Sequence, residues 1–147
     1  MNLGYDGYIY MLDTSSQDGK LAKYTREGEQ LWKKYIPLSS KECKPCADKN
    51  GYVFVLGKDD NDKTKLIRFS PEGENIEILL NDVIDGGVLS TEDTLALAPN
   101  GTIYLFRFYE VLKVFSPDLK VKFISDRAKE EDNEKLEEYK KRMEKES

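Results

Sequence analysis

"KLIRFSPEGE" occupies Lys65 to Glu74, and "KLAKYTREGE" occupies Lys20 to Glu29. The two align without a gap, 45 residues apart. A looser copy, "VLKVFSPDLK", runs from Val111 to Lys120. Leu21, Leu66 and Leu112 share one position of the phrase; Tyr24, Phe69 and Phe115 share another. After each aromatic comes Thr or Ser, then a short polar turn: Arg26-Glu27-Gly28, Pro71-Glu72-Gly73 and Pro117-Asp118-Leu119. Proline early in a turn and glycine at its end suit β-turn backbone geometry. A further strand follows each turn, in "EQLWKKYI", "ENIEILL" and "KVKFIS". Each phrase therefore reads as a β-hairpin, and the third departs most, with Leu119 where the others carry glycine.

Working outward, each hairpin is preceded by an Asp-Gly or Asn-Gly pair and an apolar run. These are "DGYIYML" at Gly7, "NGYVFVL" at Gly51 and "NGTIYLF" at Gly101. Such a pair marks a turn, and the runs after it are rich in β-branched and aromatic residues, so each predicts a strand. Before two of these turns a further strand is expected, in "TLALAPNG" and, at the same place, "CKPCADKNG". That makes four strands per unit at a period near 45 residues, with the first unit expected to lack its opening strand. Both faces of the strands after the glycines are apolar: Ile9 and Met11 alternate with Tyr8, Tyr10 and Leu12, and Val53 and Val55 with Tyr52, Phe54 and Leu56. A half-solvated strand alternates apolar with polar; these ask for cover on both sides.

Units of four short strands at this period resemble the blades of a β-propeller. The phrase "DGYIYMLD…KLAKYTREGEQLWK" is similar to the repeats of NHL, gluconolactonase-type and quinoprotein-type propellers, and the resemblance covers roughly Asp6 to Ile124. The Gly-His and Trp-Asp pairs of WD repeats are absent from the sequence. The expected fold is all-β: about three four-stranded antiparallel propeller-type blades over residues 1–124, divided near 1–38, 39–82 and 83–124, an incomplete ring or part of a larger propeller. A charged helical tail is expected over 125–147. A single antiparallel sandwich of irregular hairpins is the competing architecture.

Composition narrows the function. The 147 residues carry 35% charged side chains and a net charge of −5. An acidic chain without a Lys/Arg stripe is a poor ligand for a phosphate backbone, which disfavours the RNA-binding reading of an NHL surface. No apolar run approaches the roughly 18 residues of a membrane span, and the N-terminus lacks the features of a signal peptide. A cytoplasmic protein is the expectation. There is no histidine, which removes the commonest general base and zinc ligand.

Cys43-Lys44-Pro45-Cys46 has the spacing of a redox pair, but the residues after it read as turn and strand rather than helix, so structural thiols are expected. A zinc site would need ligands from another chain. "GKDDNDKTK", from Gly57 to Lys65, lacks the glycine of an EF-hand loop and reads as a solvated hairpin. No motif implies a cofactor, a metal ligand or a catalytic residue.

Three units are too few to close a ring, since propellers have typically about 4–8 blades. Two open ends then demand cover, from a homodimer that completes the ring, from another protein chain carrying the missing blades, or from a further part of this same chain. The candidate interface residues are Tyr104, Phe106, Phe108 and Tyr109, in the densest aromatic run "IYLFRFYE", together with Leu136, Tyr139 and Met143, the one apolar stripe of the tail. In that run Tyr104, Phe106 and Phe108 are expected on one strand face, with Leu105, Arg107 and Tyr109 on the other. Trp32 reads as core or interface. The function these features favour is a non-catalytic protein-binding or assembly module. The alternative that the resemblance implies is a gluconolactonase-type metal-dependent hydrolase fragment, with its metal in a central channel.

Overall fold

A computed structural model describes residues 2–13, 20–38, 45–61, 63–81, 83–84, 87–89, 94–107 and 110–146. Three four-stranded antiparallel sheets follow one another along the chain, each with its strands in sequence order. The first holds β1 (Asn2–Leu3), β2 (Ile9–Asp13), β3 (Lys20–Tyr24) and β4 (Gln30–Tyr35). The second holds β5 (Cys46–Ala47), β6 (Val53–Lys58), β7 (Thr64–Phe69) and β8 (Ile76–Leu80). A short pair, β9 (Val83–Ile84) and β10 (Gly87–Val88), precedes the third sheet. That sheet holds β11 (Thr94–Leu97), β12 (Ile103–Arg107), β13 (Glu110–Phe115) and β14 (Val121–Ile124). The chain ends in helix α1 (Asp126–Glu146). Among the described residues no helix is long and apolar enough to cross a membrane.

One expectation is corrected. The first unit does have an opening strand: Asn2 and Leu3 pair with Tyr10 and Ile9. At two residues it is too short for an apolar alternation to announce it. The equivalent strand of the second unit, Cys46–Ala47, is no longer.

The repeated phrase owes its Thr or Ser to the turn. The hydroxyl oxygens of Thr25, Ser70 and Ser116 accept hydrogen bonds from the backbone N–H groups of Glu29, Asn75 and Lys120. Each turn also closes through a backbone bond, from Gly28 to Thr25, Gly73 to Ser70 and Leu119 to Ser116. The closing residue is left-handed in all three, at φ 91°, 73° and 69°. Glycine takes that conformation freely; Leu119 takes it at a cost of about 1–2 kcal/mol.

Sheets pack face to face through two cores. The first joins sheets one and two: Tyr10, Leu21, Ile36 and Leu38 meet Ala47, Val53, Val55, Ile67 and Phe69. The second joins sheets two and three: Phe54, Leu56 and Leu66 meet Leu95, Leu97, Ile103, Leu105 and Phe115. Sheet two is thus covered twice, and Val53 through Gly57 on β6 are all buried. The opening strands lie side by side. The backbone N–H of Tyr5 donates to the Ala47 carbonyl, 3.2 Å, and its hydroxyl to the Leu97 carbonyl, 2.9 Å. A Cβ on Gly4 would stand 2.7 Å from that of Ala47, so the approach admits only glycine.

Trp32 fastens the first core from the outer strand. Its indole N–H donates to the Pro71 carbonyl at 3.1 Å, and its ring stacks near Phe69 and tilts against Tyr10. The same ring covers the turn of sheet two so closely that a Cβ on Gly73 would meet it at 2.9 Å. We therefore expect Gly73→Ala to cost the left-handed backbone penalty, about 1–2 kcal/mol, plus a crowding penalty of about 1–3 kcal/mol. In a Trp32→Ala background the first should remain, with the crowding reduced to the flexible Lys34 side chain, whose Cγ lies 3.1 Å away. A denaturation-based double-mutant cycle checks this, with a coupling of roughly 1 kcal/mol or more expected.

Candidate functional site

The aromatic of each repeat faces the sheet before it. Phe69 of sheet two lies in the core shared with sheet one, and Phe115 of sheet three in the core shared with sheet two. Their cross-strand partners Val53 and Ile103 point the same way. In sheet one those positions are held by Tyr24 and its partner Ile9, with Met11 two residues along on the same face. Among the described residues no sheet packs against them. Phe69 and Phe115 are fully buried, whereas Tyr24 and Ile9 are half-exposed and Met11 is 42% exposed. Leu3, Leu31 and Tyr35, exposed on the same sheet, add to this bare apolar face.

The opposite face of each sheet meets the sheet that follows. Tyr10 of sheet one and Phe54 of sheet two fill it at equivalent positions, both buried. In sheet three that position is Tyr104, followed by Phe106. Both are half-buried, on the side of β12 away from Leu105, which lies in the second core. Tyr104 pairs with Val114 and Val114 with Phe123, so these side chains continue the face to the outer strand, where Phe123 is 48% exposed. Phe123 also lines a shallow depression of about 590 Å³ with Glu110, Val121, Ile124 and the start of α1. The expected alternation of this run therefore holds for residues 104–106. Phe108 and Tyr109 lie outside the described residues.

Helix α1 begins where its sequence places it. The Ser125 hydroxyl accepts the backbone N–H of Ala128, an N-cap bond that satisfies one orphan donor of the first turn. Ala128 is buried. Arg107 pairs with Glu131 at 3.0 Å and Arg127 with Glu110 at 3.4 Å, tying the first turns of the helix to the β12–β13 hairpin. Leu136, Tyr139 and Met143 lie on this helix, and their side chains lie outside the described residues. Of the candidate interface residues of the sequence, those described thus fall on β12 of the third sheet and on α1. Met11, Tyr24 and Phe123 are not among those candidates, although aligning the three units position by position brings Met11 and Tyr24 into register with buried side chains.

A buried polar cluster supports the first core. Asp6 accepts the backbone N–H of Tyr8 and the hydroxyl of Tyr10, and lies 4.0 Å from the Lys23 ammonium. That ammonium sits 4.3 Å from the centre of the Tyr8 ring and bonds the Pro71 carbonyl. Burial, then the Asp6 carboxylate, holds the Tyr10 phenol protonated far above the ordinary phenol range. Sheet two repeats the cation-on-ring pair with Arg68 over Tyr52, while sheet three has Val114 and Thr102 there. The cluster reaches sheet two through the bond from Lys23 to the Pro71 carbonyl.

Asp59 accepts the backbone N–H groups of Asn61 and Lys63 and pairs with Lys65 at 3.0 Å, so its carboxylate closes the hairpin loop. Among the described residues no three acidic or cysteine side chains are grouped to hold a metal ion. Cys43 lies outside the described residues. The Cys46 thiol donates to the Leu95 carbonyl, and burial pushes it up to about 11. At pH 8 the thiolate is then about one part in a thousand, roughly 100-fold below an ordinary thiol. In a Cys43→Ser background, alkylation of Cys46 is expected to be at least that much slower in the native protein than in denaturant. Equal rates would show the thiol to be reactive.

No family model matches this chain, and no curated protein is significantly similar to it. Among solved structures, one of a protein of unknown function from Bacteroides caccae superposes on 80% of this chain, with a TM-score of 0.44 and 16% sequence identity. This chain spans 41% of the length of that one.

Proposed function

We propose that this chain is a non-catalytic protein-binding or assembly module: three propeller-type blades whose two terminal faces are covered by another chain. The observation that carries the reading is positional. Ile9, Met11 and Tyr24 stand where Val53, Val55 and Phe69 are buried in sheet two, and where Ile103, Leu105 and Phe115 are buried in sheet three. A stacked repeat array keeps its ends in water only when the end units have polar outer faces. Here Lys20 and Lys33 share the outer face of sheet one with exposed Met11, Leu31 and Tyr35, and Phe123 stands exposed on that of sheet three. Full cover of one such apolar side chain stabilises by about 1.5–3 kcal/mol. The faces are broad and lack deep concavity, which suits a protein surface better than a small ligand.

Light scattering across a concentration series, with an apolar fluorescent dye as a second readout, tests this. The expected result is a mass above the 16.9 kDa of one chain, or a monomer that binds the dye strongly while its faces await a partner. A monodisperse 16.9 kDa monomer that stays soluble and binds no dye would overturn it.

A further inference from the structure

Resting on that reading, we infer that the cover is a second copy of this chain, set head to tail. The third sheet of each copy packs on the first sheet of the other. The two interfaces inside the chain are successive members of one series, each joining the following face of one sheet to the preceding face of the next. The open faces are the two unmatched halves of that same interface. A second copy continues the series in both directions at once and yields six sheets, within the range of about 4–8 for closed propellers.

The turn residues carry a size code that fits this partner. The turn of sheet two has Gly73 because Trp32 lies directly over it. Trp32 pairs across the ladder with Lys23; the equivalent pairs are Glu77 with Arg68 in sheet two and Phe123 with Val114 in sheet three. Sheet two has Glu77 in place of the indole, paired with Arg68, and the turn of sheet three carries Leu119, which packs against the second core. The turn of sheet one again carries glycine, Gly28, and a Cβ there would meet nothing within 4 Å. What fits over Gly28 is an aromatic from a preceding sheet, and Phe123, 48% exposed, is the aromatic that sheet three presents. At this contact Val114 and Phe123 replace the hydrogen-bond donors Lys23 and Trp32, so the joint between copies is apolar where the internal one is polar.

Two substitutions test the arrangement: Met11→Glu on the face of sheet one and Phe123→Glu on that of sheet three. Both side chains are exposed in the single chain, so each variant should keep the wild-type circular dichroism, measured as a control. The wild type is expected at twice 16.9 kDa, and each variant alone as a monomer. An equimolar mixture of the two variants should associate where neither does alone, because one of its two joints is unaltered on both sides. If only one substitution dissociates the wild-type dimer, a face meets its own copy and the head-to-tail arrangement is overturned. A mixture that stays monomeric at every concentration overturns it as well. A dye-binding wild-type monomer removes the second copy but leaves the broader reading standing, whereas a monomer that binds no dye removes both.

Discussion

A β-sheet with apolar side chains on both faces must be covered twice, and that requirement governs this molecule. Sheet two meets it within the chain. Val53, Val55, Ile67 and Phe69 turn toward sheet one, and Phe54, Leu56 and Leu66 toward sheet three. Sheets one and three meet it on one side each. The turns, the buried cluster around Asp6 and Lys23, and the glycine-tight approach of β1 to β5 all serve to bring successive sheets into contact at the distance those side chains need.

The repeat made most of this legible. Its leucines Leu21, Leu66 and Leu112 are all buried, as are Phe69 and Phe115, while Tyr24 is half-exposed, and the Thr or Ser after each aromatic holds its turn by a bond to the backbone. Asp-Gly and Asn-Gly pairs mark the turns because few other residues adopt their geometry. What could not be read was of two kinds. Strands of two residues, such as Asn2–Leu3, hold too few side chains for a period to register. Contacts between sheets, such as Trp32 on the Pro71 turn or Tyr5 on Leu97, join residues 39 and 92 positions apart. No local pattern encodes those partners.

The open faces were half legible. The aromatic run from Ile103 drew attention to sheet three because aromatic density is visible in any window. Met11 and Tyr24 belong to a phrase that is ordinary by composition. Their exposure becomes notable only once Val55 and Phe69 are known to be buried at the same positions. Position within a repeat, rather than residue type, is what distinguishes a core side chain from an exposed one here.

Sequential strand order within each sheet has a consequence for how the molecule opens. Each sheet is a meander of neighbours in sequence, so its pairing closes only short loops, and the long-range contacts lie in the joints between sheets and in the ties of α1 to the third sheet. Stability then follows nearest-neighbour rules, as in a one-dimensional array. Sheet two is held by two joints, while the outer sheets are held by one each and fray first. An array with free ends melts inward from them. Closing it into a ring would leave no end, and turn gradual fraying into a single cooperative transition.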